Sequence, residues 1–141
     1  MEHGTKRFVF VGCGKIAYCH ADVILAHGHQ IIGVAARPHS QTIGLFSEKY
    51  QINNCYDDLH KMFHELQPDA VILCTSWDQT EKIIEDVINY GIPVLVEKPV
   101  ALSSDKIIKV LEETGDHSEN VLVGYNRRFY DFVPDIKKSN F

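Results

Sequence analysis

Residues 8–17 read Phe-Val-Phe-Val-Gly-Cys-Gly-Lys-Ile-Ala. The apolar run breaks at Gly12 and Gly14 and resumes at helical spacing, as a buried parallel strand does when it turns tightly into a helix. A strand apolar on both faces needs cover on both sides, which restricts the chain to a layered α/β arrangement. The spacing Gly12-x-Gly14-x-x-Ala17 also fits the dinucleotide fingerprint, with alanine as its third small residue. Gly12 permits the turn, Gly14 lets a diphosphate approach the backbone, and Ala17 lets the helix pack closely on the sheet. The turn Gly12, Cys13, Gly14, Lys15 and Ile16 is therefore a candidate diphosphate cradle, with free N–H groups at the positive end of the helix dipole. Such turns also occur in methyltransferases and in sheets that bind no nucleotide, so a purely structural turn is the alternative.

The rest of the chain repeats the alternation. A helix is expected over residues 16–27, with Ile16, Val23, Ile24 and Ala26 among its apolar positions and Gly28 at its end. A buried strand follows over 30–36, stopped by Pro38. Ser40 is placed to cap a helix reaching Tyr50. Asn53-Asn54 mark a turn, Cys55-Tyr56 form a very short strand, and Asp57 is read as the cap of a helix reaching Leu66. Strand 69–75 is nearly all apolar and hence central. A helix over 79–90, a strand over 94–97, a helix capped by Ser103 or Ser104 and ending near Thr114, and a strand over 121–124 complete the series. Six strands alternating with helices predict a doubly wound parallel sheet with helices on both faces, in the order 3-2-1-4-5-6.

In such sheets ligands bind at the carboxyl ends of the strands, near the point where the strand order reverses. That rule collects the glycine turn, Ala36-Arg37, Thr75-Ser76-Trp77, Glu97-Lys98-Pro99 and residues 124–128. An NAD-binding domain carries an acid about 20 residues past the glycines to hold the ribose 2′-OH. Here the second strand ends Ala35-Ala36-Arg37. With no acid there and a planar fork of donors beside it, NADP(H) is expected over NAD(H). An exposed arginine after a strand is the plainer reading. Pro99 ends the fifth strand and sets Lys98 over the crevice, where an ammonium can bind a substrate oxygen or move the proton that accompanies hydride transfer.

Taken together, the Gly-Cys-Gly-Lys-Ile-Ala turn, Thr75, Glu97-Lys98-Pro99 and the Gly-Tyr-Asn-Arg-Arg-Phe segment at 124–129 resemble the glucose-fructose oxidoreductase / inositol dehydrogenase / MocA family. The resemblance covers essentially the whole chain. It implies a Rossmann fold over residues 1–124 and a connecting segment over 125–141 leading toward a C-terminal α/β substrate domain that this sequence lacks. It implies that Lys98 contacts substrate and nicotinamide, and that Asn126 and Arg127 lie beside the active site. The activity it implies is hydride transfer between nicotinamide and a secondary alcohol or ketone of a sugar, polyol or diol. The Ala-Ala-Arg ending resembles the NADP-using branch. Where the family has Thr-Pro-Asn and then a His, this chain has Thr75-Ser76-Trp77 and Thr80, so contacts to the nicotinamide ribose are expected to differ. The family's Asp and His partners to the lysine lie in the second domain. A stand-alone, non-catalytic dinucleotide-binding module for sensing or assembly is the alternative.

The remaining features narrow the partners. Net charge is −5 with no basic run, which argues against a nucleic-acid surface. No apolar stretch approaches a membrane span, and no apolar signal region precedes the first strand, so a cytoplasmic location is expected. Homo-oligomers are compatible with the sequence. The four cysteines, at 13, 19, 55 and 74, make no metal or redox spacing. Cys55 and Cys74 are expected to act as small strand hydrophobes, and Cys13 to be oxidisable when no cofactor covers it. His60 and His64 stand i, i+4 on a helix with no third ligand nearby, and are read as a solvated face.

Overall fold

In strand β1 (Arg7–Val11), Val9 and Phe10 are wholly buried and Val11 nearly so, and successive side chains enter opposite layers. That strand sits in the interior of the sheet, as its composition requires. The computed structural model describes residues 4–130; the rest of the connecting segment expected over 125–141 lies outside the described residues. The chain continues through α1 (Lys15–Ala26), β2 (Gln30–Ala35), α2 (Gln41–Tyr50), β3 (Cys55–Tyr56), α3 (Leu59–Leu66), β4 (Ala70–Leu73), α4 (Trp77–Asn89), β5 (Val94–Val96), α5 (Ser104–Thr114) and β6 (Val121–Val123). Single 3-10 stretches span Gly115–Asn120 and Asn126–Phe129.

All strand pairs are parallel, and the six-stranded sheet runs β3-β2-β1-β4-β5-β6, the order expected from the alternation. β1 is flanked by β2 and β4, with Phe10 opposite both Val34 and Ile72, so the switch point lies at its carboxyl end. On one face, Phe10, Val34 and Ile72 pack with Ala17, Ala21, Ile24 and Phe46 from α1 and α2. Phe46 anchors this layer, with ring centroids 5.2 Å from Phe10 and 5.1 Å from Tyr18. On the other face, Val9, Val11, Val71 and Leu73 pack with Phe63, Ile84 and Val110 from α3, α4 and α5.

Local expectations are partly met and partly corrected. The inward stripe of α1 is Ala17, Ala21 and Ile24, whereas Ile16 and Val23 are exposed, Val23 by 58%. Two alanines let the helix axis approach the sheet, which leaves the larger side chains on its flanks. Asp58, not Asp57, caps α3: its backbone is extended and Oδ1 accepts from the Lys61 N–H at 3.0 Å. Ser103 does the same for α5, accepting from Lys106 N–H at 3.2 Å. Ser40 holds the cap position of α2, but its hydroxyl pairs with Thr42 Oγ1 at 3.0 Å instead of closing the helix. α4 begins at Trp77, two residues early, because the extended residue before it is Ser76. Cys55 is exposed, since β3 is an edge strand; Cys74 is buried. Among the described residues no helix is long and apolar enough to cross a membrane.

Candidate functional site

The ends of β1, β2 and β4 open onto one crevice with two lobes. The polar lobe, about 190 Å³, is lined by Gly12, Cys13, Gly14, Ala36, Arg37, Ser40, Thr42, Cys74, Thr75, Ser76 and Gln79. The second, about 200 Å³, shares Ala36, Arg37, Thr75 and Gln79 with it and adds the apolar walls of Val11, Pro38, Leu59 and Ile83, with Asp57 at its edge. Arg37, exposed just beyond β2, borders both lobes.

The two glycines of the turn have separable reasons. Gly12 has φ +87°, and a Cβ there would stand 2.7 Å from the Cys74 carbonyl, so the fold itself demands glycine. Its N–H donates to Ala35 O at 2.8 Å, locking the turn to β2. Gly14 has ordinary extended geometry (φ −73°, ψ −176°), and a Cβ there would meet nothing within 4 Å. Neither backbone nor packing requires glycine at 14; the space it leaves open belongs to the crevice. Gly14 is also the N-cap of α1, without a side-chain cap and with no acid in the first turn. The donors that begin the helix are thus available to an anion.

Behind the crevice, Thr75 Oγ1 and the buried Thr80 Oγ1 lie 2.8 Å apart, tying the end of β4 to the first turn of α4. Ser76 and Gln79 hydrogen-bond Asp78 and hold its carboxyl below the usual range. Cys13 is only 3% exposed, with Sγ 3.2 Å from Thr42 Oγ1, so it belongs to the floor joining the turn to α2 and is shielded from oxidants. The Cys74 thiol is pushed up to about 12, first by burial and then by the charge of Glu97.

Of the residues singled out from sequence, the structure brings Gly12, Cys13, Gly14, Ala36, Arg37, Thr75 and Ser76 together. Lys15, Ile16, Trp77, Glu97, Lys98, Asn126 and Arg127 line neither lobe. Trp77 is 51% exposed and faces an outer dish with Asp78, Glu81, Lys82 and Lys106. Lys98, followed by a cis bond to Pro99, is exposed beyond β5, while Asn126 and Arg127 are exposed in the 3-10 turn after β6. These belong to strands one and two places beyond β4, about 5 and 10 Å along the sheet at the usual strand spacing. Glu97 instead pairs with His20, Nε2 to Oε1 at 2.7 Å. Sequence reading missed Ser40, Thr42 and Gln79. Ser40 and Thr42 were signalled only by their place just after Arg37-Pro38, and Gln79 by standing three residues after Ser76. His60 and His64 are exposed, and His60 lies 3.8 Å from Asp86.

A doubly wound parallel sheet whose switch-point crevice combines an open glycine cradle, an acid-free helix start and an adjoining apolar lobe is a dinucleotide-binding domain. Comparison with known proteins specifies which kind. The oxidoreductase family with an NAD-binding Rossmann fold, GFO_IDH_MocA, matches residues 6–125, and the chain belongs to that family. Among curated relatives, the uncharacterized oxidoreductase YrbE of Bacillus subtilis is 26% identical over 94% of this chain and 40% of its own length. Myo-inositol 2-dehydrogenase of Thermotoga maritima is 24% identical over 87% of this chain and 37% of its own length. The chain thus spans about two fifths of these relatives. Among solved structures, scyllo-inositol dehydrogenase of Lactobacillus casei, with bound NAD(H) and scyllo-inositol, superposes with a TM-score of 0.80 at 22% identity, covering 96% of this chain and 40% of that one.

Proposed function

We propose that residues 1–124 are the cofactor domain of an NADP-dependent oxidoreductase acting on a secondary alcohol or ketone of a sugar, polyol or diol. Residues 125–141 then lead toward a substrate domain. The observation that carries this reading is the crevice itself: Gly14 opens space that nothing in the fold needs, and Arg37 borders both lobes where an acid would mark NAD. When bound, the nicotinamide supplies the hydride acceptor or donor at its C4 carbon.

This chain's residues supply the rest. The turn at Gly12, Cys13 and Gly14, with the first N–H groups of α1 at Lys15 and Ile16, holds the diphosphate. The apolar lobe takes the adenine, with Asp57 offering an acceptor to its amino group. Arg37, helped by the Ser40 and Thr42 hydroxyls, takes the ribose 2′-phosphate. Thr75, Ser76 and Trp77 border the nicotinamide ribose. Glu97, Asn126 and Arg127 shape the far end, and Lys98 binds the substrate oxygen and relays its proton as the carbon gives up or accepts hydride. The inositol dehydrogenases among the relatives support the polyol class. In the whole protein a homo-oligomer is compatible with the apolar side chains left exposed at the β6 end, Leu122 and Phe129 among them.

The test is to titrate the chain with NADPH and NADH by fluorescence, Trp77 being the single tryptophan and an energy donor. A charge-assisted hydrogen bond contributes about 1.5–3 kcal/mol, so NADPH should bind roughly tenfold more tightly or better. Equal affinities, or tighter NADH, remove the NADP assignment; no binding of either removes the cofactor reading.

A further inference from the structure

The ladder that carries β5 ends just before the lysine. β5 spans only Val94–Val96, and its last backbone ties are Glu97 N–H to Leu73 O at 2.9 Å and Gly124 N–H to Val96 O at 2.8 Å. Beyond them, the next tie toward Lys98 is a side chain. Glu97 Oε1 lies 2.7 Å from His20 Nε2, with the two side chains 17% and 23% exposed. The carboxylate fills the space beside Gly124, where a Cβ would stand 2.9 Å from Oε1. It also lies close enough to Cys74 for its charge to act on that thiol. Glu97 is therefore enclosed by α1, the end of β4 and the end of β6, with one hydrogen-bonding side chain facing it. His20 sits on α1, the helix that starts at the glycine turn.

We propose that His20 and Glu97 form a positioning pair that fixes the lysine-bearing tip of β5 to the helix that holds the cofactor diphosphate. His20 Nε2–H donates to the Glu97 carboxylate. The pair adds a side-chain tie from α1 to the residue before Lys98, beside the backbone tie of Glu97 N–H to Leu73 O. Neither residue touches the reacting atoms; both act through Lys98. The proposal rests on the cofactor reading above for its function, and on the contact geometry alone for its structure.

Four variants test it in the full chain: His20→Leu removes the donor, His20→Gln keeps an N–H near the Nε2 position, Glu97→Ala removes the acceptor, and the double variant removes both. Each is titrated with NADP⁺ and with 2′,5′-ADP, which lacks the nicotinamide half. Each is also reductively ¹³C-methylated, and the Lys98 methyl resonance is assigned with Lys98→Arg. His20→Leu is expected to weaken NADP⁺ about tenfold while leaving 2′,5′-ADP within about twofold, since the pair serves only the nicotinamide end. It should also shift the Lys98 resonance, and His20→Gln should restore both. The double variant should lose no more than either single, because both remove one contact. Equal losses for both nucleotides, no rescue by glutamine, or additive losses would each overturn the proposal. If His20→Leu does not fold, Glu97→Ala removes the same bond and is judged by the same outcomes. If the unmutated chain binds neither nucleotide, the cofactor reading fails, and the pair is still decided by the Lys98 resonance: a shift in His20→Leu but not His20→Gln supports it, and no shift overturns it.

Discussion

Replacing Gly14 with valine, and separately Gly12 with alanine, should divide binding from folding. At Gly14 the backbone is one that any residue adopts, and a Cβ meets nothing within 4 Å. Loss of the favourable N-cap glycine should then cost only about 0.5–1 kcal/mol of stability. The valine methyls would occupy the diphosphate's place. Two charge-assisted bonds to backbone N–H groups, at about 1.5–3 kcal/mol each, would be lost, which weakens binding by roughly 10²- to 10⁴-fold. At Gly12 the balance reverses. A side chain at φ +87° pays about 1–2 kcal/mol for the left-handed backbone, and a Cβ 2.7 Å from the Cys74 carbonyl adds about 1–3 kcal/mol of overpacking. Gly12→Ala should therefore unfold at distinctly lower denaturant than Gly14→Val. The assays are urea denaturation followed by circular dichroism, and calorimetric titration with NADPH. Near-normal affinity in a folded Gly14→Val variant would show that the glycine is not a cradle. Equal destabilisation by the two substitutions would refute the distinction between them.

The double variant Ala36→Asp, Arg37→Ala should reverse the cofactor order, with NADH bound more tightly than NADPH in the same fluorescence titration; an unchanged order would move the 2′-phosphate contact elsewhere. Asp58 is held below its usual range chiefly by the Lys61 N–H, so its contribution is fully present above the unfolded carboxylate range and is lost as pH falls through the lower folded value. Asp58→Ala should lower Tm at pH 7, and the gap to the unmutated chain should close below about pH 4, a trend scanning calorimetry would check. Cys74, buried and with its thiol pushed up to about 12, should alkylate with iodoacetamide much more slowly at neutral pH than the exposed Cys19 and Cys55. Glu97→Gln should speed Cys74 modification, read by mass spectrometry, because it removes the second cause of the shift.

The strand order was legible because each strand is a short apolar run closed by glycine, proline or a polar pair, and parallel crossovers of one hand leave few arrangements. Element ends were less legible. Asp57 and Asp58 are chemically equal candidates for one cap, and the choice falls to the residue whose extended backbone aims its carboxylate at Lys61 N–H. The inward face of α1 follows packing more than hydrophobicity, and the fingerprint itself placed Ala17 against the sheet. Hydrophobicity favours Val23, but close approach to the sheet selects the small pair Ala17 and Ala21. Cys13 stands in the glycine turn, yet its thiol turns inward to Thr42, which no local pattern predicts.

The crevice was read well where one rule sufficed and poorly where two were needed. The rule of strand ends says which edge of the sheet a residue occupies, and Arg37, Thr75 and Glu97 all satisfy it. It does not say which face. Along β5 the side chains alternate: Val94 and Val96 enter the layer of α3, α4 and α5, while Leu95 packs toward α1. Glu97, two residues after Leu95, therefore projects to the α1 side of the sheet. On α1, His20 precedes Ala21 within the stripe of Ala17, Ala21 and Ile24, so it lies beside the face turned to the sheet. Once strand order and pleat are combined, a histidine and a carboxylate 77 residues apart fall opposite each other, and Gly124 on the neighbouring strand is the residue small enough to leave them room. The pairing was thus present in the sequence, but only as the product of tertiary order and alternation.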